Sequence, residues 1–393
     1  MHRSLCCFGL LSLAANVSAE YSGNVAIETQ HYSESAQFDD QFDDNVTLSF
    51  QPKWDGEWND GDDLWSLEFF LRADNKDAGR EHADVREALW LHVDGDSEWR
   101  VGINTMFWGV TESQHLVDVI NQIDQVEGID GEDKLGQPMI HLKRYQDWGV
   151  VDLLLLPAFR ERTFQEKQGR LRTPLVVDTD QAQYESSDED RHLDYSLRFS
   201  QTWGDLDLGL SWFKGTSRDP LLLAGFDGAG NPALIPFYEQ MEQLGIDAQL
   251  IYLDWIWRLE FIRREAESND YNAYTAGFEY TFYGIMESAV DLGMLLEYSS
   301  DDRPEGEAGA FDNDVFLGAR FAFNDAQSSE ILAGFVIDSD NRSRTFRVEG
   351  NRRFGESWKG TLELQTFSNI DPDDVLAVFE NDDFVLLEMA YYF

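Results

Sequence analysis

From about Tyr21 to Phe393 the chain alternates. Short runs place apolar side chains at every second position, with polar residues between them. Leu193, Tyr195, Leu197 and Phe199 interleave with Asp194, Ser196, Arg198 and Ser200, and Leu206, Leu208, Leu210 and Trp212 with Asp207, Gly209 and Ser211. Trp255, Trp257, Leu259 and Phe261 interleave with Arg258 and Glu260, and Leu292, Met294, Leu296 and Tyr298 with Gly293 and Glu297. Successive side chains of a strand point to opposite faces, so each run predicts a strand with one apolar and one polar face. Eighteen such segments begin near Tyr21, Val46, Leu64, Val85, Glu98, Gln137, Gly149, His192, Asp205, Met241, Trp255, Tyr271, Ser288, Asp314, Glu330, Arg344, Ser357 and Asp383. Each runs for about 9–13 residues, the length of a tilted membrane strand.

The connections carry a second regularity. Short turns, such as Asp94-Gly95-Asp96, Trp203-Gly204-Asp205 and Leu253-Asp254, alternate with the longer stretches 31–43, 107–136, 158–191, 214–240 and 299–313. With the N-terminus on the periplasmic side, every long connection is odd-numbered and faces outward, as barrel loops do. A soluble sandwich has no reason to sort its loops by parity. Trp54, Trp58, Trp99, Trp148, Trp203, Trp255, Trp358 and Tyr391 gather at segment ends, where a membrane girdle would place them. The expected fold is all-β, a transmembrane antiparallel β-barrel of about 18 strands. Sixteen is the alternative, because the first strand and the hairpin at 341–344 are weakly patterned.

The rest of the chain narrows this picture. Met1–Ala19 reads as a cleaved signal peptide, with Arg3, an apolar stretch from Leu5 to Ala15, and the small-residue end Val17-Ser18-Ala19. Residues 20–393 would then be the barrel. Both cysteines, Cys6 and Cys7, fall in the leader, so the mature chain is expected to hold no disulfide and no cysteine metal site. No stretch of the mature chain approaches the ~18–20 unbroken apolar residues of a membrane helix. An exported, alternating chain without such runs points to the outer membrane, because only helices and closed barrels span a bilayer. The net charge of −45, from 75 acids and 30 bases, argues against nucleic-acid binding. Acid-rich loops such as Asp39-Asp40 and Asp188-Glu189-Asp190 read as solvated. Calcium or lipopolysaccharide bridging by them stays open, but their spacing defines no calcium loop.

Two stretches carry a family resemblance. Val385, Leu387, Met389, Tyr391 and Phe393 make one wholly apolar face ending in aromatics. This resembles the terminal strand of bacterial outer-membrane barrels, which implies recognition of the Phe393 strand by the barrel-assembly machinery. Trp108-Gly109, followed by Asp118-Val119-Ile120-Asn121-Gln122-Ile123-Asp124, resembles a motif of uncharacterised porin-like outer-membrane families, which usually have Pro where this chain has Gln122. That resemblance implies a porin-like barrel with a loop folded inward, and it names no substrate.

Within 108–136, Leu116, Val117, Ile120 and Ile123 recur at helical spacing, which predicts a short helix inside the lumen. The loop's acids Asp118, Asp124, Glu127, Asp130, Glu132 and Asp133 would face inward-pointing Arg72, Arg100, Arg198, Arg258, Arg320 and Arg347, with Trp108, His115 and Asn121 beside them. Opposed charges across a narrow pore would screen solutes. The competing expectation is that these arginines pair with inward acids such as Glu68, Asp194, Glu260, Glu279 and Glu363 and fill space. No nucleophile elbow and no paired metal spacing occurs, so no catalytic residue, cofactor or metal is expected. The expected function is a porin-like channel for small solutes, favouring cations, in contact with outer-membrane lipid and lipopolysaccharide. A substrate-specific channel for an apolar or saccharide ligand, lined by Phe107, Trp108 and Tyr145, is the runner-up. A non-conducting structural or adhesive barrel is the third reading, and a homo-oligomer remains open.

Overall fold

The computed structural model describes residues 18–303, 309 and 311–393. Most of the expected leader lies outside the described residues; its last two, Ser18 and Ala19, are in the first strand. In chain order the strands are β1 (Ser18–Tyr32), β2 (Asp44–Trp58), β3 (Asp63–Asp74), β4 (Ala83–Asp94), β5 (Ser97–Asn104), β6 (Gln137–Gln146), β7 (Gly149–Leu156), β8 (Gln183–Tyr184), β9 (Asp194–Trp203) and β10 (Leu206–Thr216). There follow β11 (Leu221–Phe226), β12 (Pro232–Tyr238), β13 (Gln240–Tyr252), β14 (Trp255–Ala266), β15 (Asp270–Phe282) and β16 (Asp291–Asp301). The last five are β17 (Asn313–Ala322), β18 (Glu330–Asp338), β19 (Arg344–Phe354), β20 (Trp358–Ser368) and β21 (Phe384–Tyr392).

Eighteen of these form one antiparallel sheet in which each strand pairs with the next along the chain. The ring closes between β1 and β21, with Asn24 opposite Tyr392 and Tyr32 opposite Phe384. Gly23 and Phe393 exchange both backbone hydrogen bonds, at 3.2 and 3.1 Å. No edge is left unpaired, which is what a barrel achieves and an open sheet cannot. The fold is therefore the expected barrel with eighteen strands, and sixteen is excluded. All eighteen predicted starts fall within three residues of an observed one.

The two faces of the wall follow from alternation. Outside, Val25, Ile27, Leu48, Leu153, Leu197, Trp257, Leu317, Leu387 and Met389 are exposed, an apolar belt of the kind that meets lipid. Inside, Glu28, Thr47, Asp152, Ser196, Asp247, Glu260 and Thr275 are buried in the filled lumen. The long connections sit at one end and turns of two to eight residues at the other. The eight predicted girdle aromatics all lie toward the short-turn end. The remaining strands, β11, β12 and β8, form a small separate sheet at the long-loop end, inside stretches expected to be irregular.

Candidate functional site: a loop laid inside the barrel

The connection between β5 and β6 stays within the ring of strands and is fixed to the inner wall in two ways. The first is through backbone donors. Glu260 on β14 accepts from the amides of Val110 (2.7 Å), Thr111 (3.0 Å) and Val117 (3.1 Å), and from the Thr111 hydroxyl (2.7 Å). Glu297 on β16 accepts from the amides of Glu112 (2.9 Å) and Ser113 (2.8 Å) and from the Ser113 hydroxyl (2.7 Å). Val117, Val119 and Ile120, all at or near zero exposure, then pack on Met139, Leu154, Leu156, Phe213, Met241 and Ile262 of the wall. Gly245 on β13 permits this approach, because a Cβ there would lie 3.1 Å from a Val117 methyl.

These contacts correct the expected helix. Among the described residues, 105–136 contains no helix, only irregular chain, two single hydrogen-bonded turns (His115–Asp118 and Asp124–Glu127) and an isolated bridge between Ile123 and Lys134. The helical spacing of Leu116, Val117 and Ile120 is coincidental. A helix would hand its amides to carbonyls four residues back, whereas here wall carboxylates take them. Asn121 fastens the base of the loop: its Nδ2 donates to the carbonyls of Asn104 (3.0 Å) and Leu135 (2.8 Å), and its Oδ1 accepts from the Met106 amide (2.9 Å).

The second attachment is ionic and is concentrated at the loop's tip, with Glu112 adding one pair nearer its start. Arg72 on β3 meets Glu127 at 2.6 Å and Glu28 at 3.2 Å. Arg347 on β19 meets Asp130 at 2.6 Å, Glu363 at 3.6 Å and also Glu349. Arg320 on β17 meets Glu112 at 2.5 Å, Glu330 at 3.1 Å and Glu279 at 3.6 Å. Three of the six predicted arginines thus reach loop acids. Arg198 meets the loop differently: it pairs with Asp247 at 2.7 and 2.8 Å, and its guanidinium lies 5.0 Å from the ring centre of buried Trp108. Arg258 pairs with Glu279 at 2.9 Å and Arg100 with Glu98 at 2.5 Å, both on the wall. Asp118 takes Lys134 at 3.2 Å and the Trp108 amide at 3.4 Å. Tyr145 stands at the short-turn end of β6, donating to Glu98.

Several partners were not foreseen. Asp124 accepts from Arg86 (2.5 Å), Thr163 (2.7 Å) and His82 (3.3 Å). Arg86 escaped notice because the β3–β4 register shifts beside Glu68 and Phe69. The extra residue breaks the parity count, so Arg86 and Glu87 both turn inward. The connection after β7 runs along the inner loop, with Thr163, Gln165 and Arg160 bonded to Asp124, Gln125 and Gly136. Its Arg170, fully buried, ties to Asp382 (2.6 Å) and Asp43 (3.1 Å), drawing three long connections together.

Burial would raise the Asp124 carboxyl, but His82, Arg86 and Thr163 hold it well below the usual carboxylate range. Burial opposes charge on His82, yet Asp124 and Glu127 outweigh it and raise the imidazole. His115 is pushed down by burial, so its ring is neutral at neutral pH. Glu132 and Asp133 touch lumen water and form no ion pair among the described residues. Enclosure, then neighbouring carboxylates (Asp130 and Glu349 for the first, Glu127 and Asp130 for the second), raises each to about 7. His82, Asp124 and Glu127 offer ligand atoms within 4.8 Å of one another. Arg86 holds the same Asp124 oxygen that faces His82, and Arg72 holds the other oxygen of Glu127, so two guanidinium groups border this cluster.

No protein-family model matches the chain, and no curated protein matches it in sequence. Among solved structures, the chain is similar to a triple mutant of the Rh. blastica porin, at 12% identity and TM-score 0.48, over 96% of this chain and 100% of that one. It is similar to a loop-deletion form of OmpT, an outer membrane protein of Vibrio cholerae, at 11% identity and TM-score 0.48, over 96% and 99%.

Proposed function

We propose that this chain is a porin-like channel of the bacterial outer membrane that passes small solutes with weak selectivity and favours cations. The observation that carries this reading is the loop laid inside a closed barrel, leaving the wall between β5 and β6 and reaching β14, β16 and β19 across the ring. Such a loop narrows the lumen without sealing it covalently, and its tip and the facing wall set the charge of the passage. Glu112, Asp130, Glu132, Asp133, Glu349 and Glu363 stand there against Arg320 and Arg347. Arg320 and Arg347 are each shared among several carboxylates, so the surplus there is negative. A carboxylate-rich constriction concentrates cations and repels anions.

The test is single-channel recording in a planar bilayer under a KCl gradient. A stable conductance whose reversal potential shows potassium preferred over chloride is expected. A barrel that inserts and carries no current would make this a structural surface protein. A chloride preference would remove the cation-favouring part alone.

A further inference from the structure

Resting on that reading, the geometry points to Phe107 as half of a binding site for organic cations within the passage. Its ring is 53% exposed although the loop around it is tightly held. Met106, on one side, donates its amide to Asn121, and Trp108, on the other, is buried beneath Arg198. The exposed phenyl is therefore fixed, facing lumen water, by neighbours that are themselves fixed.

A second ring holds its orientation. His115 stands edge-on to Phe107, with centroids 4.6 Å apart and planes at 81°. His115 lies against Gly109, whose φ is +143° and where a Cβ would come within 3.1 Å of the imidazole Nδ1. Glycine at that position lets the imidazole sit flat on the chain. Neutral His115 does not compete for a cation, and the charges acting on it are those of Asp118, Lys134, Glu112 and Asp130, three carboxylates against one ammonium. A phenyl face free toward water, beside three carboxylates and one ammonium, is the combination that attracts a weakly hydrated organic ammonium. The ring quadrupole adds to the carboxylate attraction, and the apolar substituents cover exposed ring surface. Small hydrated cations such as potassium gain only the second of these. A neutral sugar gains neither carboxylate attraction nor cation–π stabilisation.

The experiment is block of the potassium current by benzyltrimethylammonium, with maltotriose as the neutral comparison, in the wild type, Phe107→Ala and Phe107→Trp. Reversible block by the ammonium and none by the sugar is expected. Half-block should need about two- to thirty-fold more ammonium in Phe107→Ala, the range of one cation–π contact, and less in Phe107→Trp. Equal half-block in wild type and Phe107→Ala, with both variants conducting normally, overturns the inference. So does block by maltotriose that Phe107→Ala abolishes, since the ring then serves saccharides. If the barrel conducts nothing, the channel reading fails by itself. Calorimetric titration of the detergent-solubilised full chain with benzyltrimethylammonium then decides: Phe107-dependent binding supports the inference and its absence overturns it.

Discussion

The two ends of the inner loop are held by different forces. Along residues 108–121, amides are capped by Glu260 and Glu297 and three aliphatic side chains are fully buried against the wall. Along 124–133, side-chain charges do the holding: Asp124 with Arg86, Glu127 with Arg72, Asp130 with Arg347. Apolar burial is indifferent to salt and acidity, and each fully buried aliphatic side chain contributes about 1.5–3 kcal/mol. Ion pairs depend on protonation instead; Asp124–Arg86 and Glu127–Arg72 are buried, while Asp130–Arg347, partly exposed, is also open to screening. The first segment is therefore an anchor, and the tip is the part that conditions can move.

Breaking the anchor has the largest expected effect. Ile120→Ala removes buried volume at the centre of the apolar contact and costs about 2–5 kcal/mol. Proteolysis of the loop in the folded barrel should quicken more than about thirty-fold, and unitary conductance should rise. Unchanged cleavage would mean that the loop is held by its bonded amides alone.

Releasing the tip comes next. Arg347→Ala frees Asp130 and leaves Glu349 and Glu363 without their shared cation. A hydrogen-bonded charge pair contributes roughly 1.5–3 kcal/mol, less when water reaches it. Conductance should become noisier and more cation-selective, with loop cleavage faster by about tenfold at most. Arg100→Ala, whose partner Glu98 lies on the same strand, should change neither. An equal effect of the two substitutions would erase the distinction between wall arginines and loop arginines.

The smallest effect is that of pH. Glu132 and Asp133 have raised pKa values, so the docked tip binds more protons than a free one between about pH 4 and 7. Docking is then firmest in mild acid and weakens as pH rises through 7, when both ionise beside other carboxylates. His82 acts in the same direction: its raised pKa makes the charged clasp on Asp124 and Glu127 present in acid and lost as pH rises. Tip fluctuations, read as current noise, should increase between pH 6 and 8. Glu132→Gln with Asp133→Asn should flatten that step while leaving the His82 contribution.

Much of the wall was legible because alternation is a local signal: two neighbours of any residue tell which way it points. The inward direction of Arg72, Arg198, Arg320 and Arg347 followed from that count. It failed at Arg86, where one extra residue resets the parity and leaves no mark in the sequence. The loop was legible in its existence and its inward course. Its conformation was not, since Glu260 lies about 150 positions from the amides it caps, and no local pattern encodes that. Asn121 and Asp124 were singled out as constriction residues, and the structure gives them fastening roles at the base and the tip. The loop hairpin of β11 and β12 was missed because β11 is apolar on consecutive positions, Leu221 to Leu223, without the alternation used to find strands.

The seam between Asn24 and Tyr392 joins parts of the chain almost as far apart as its length permits. Until those two strands meet, a partly built wall has two raw borders, each with a row of backbone groups seeking mates. Hydrocarbon offers none, so a half-finished cylinder is intolerable in the bilayer. Insertion must therefore be a late and nearly all-or-none event, slowed by the search for so distant a neighbour.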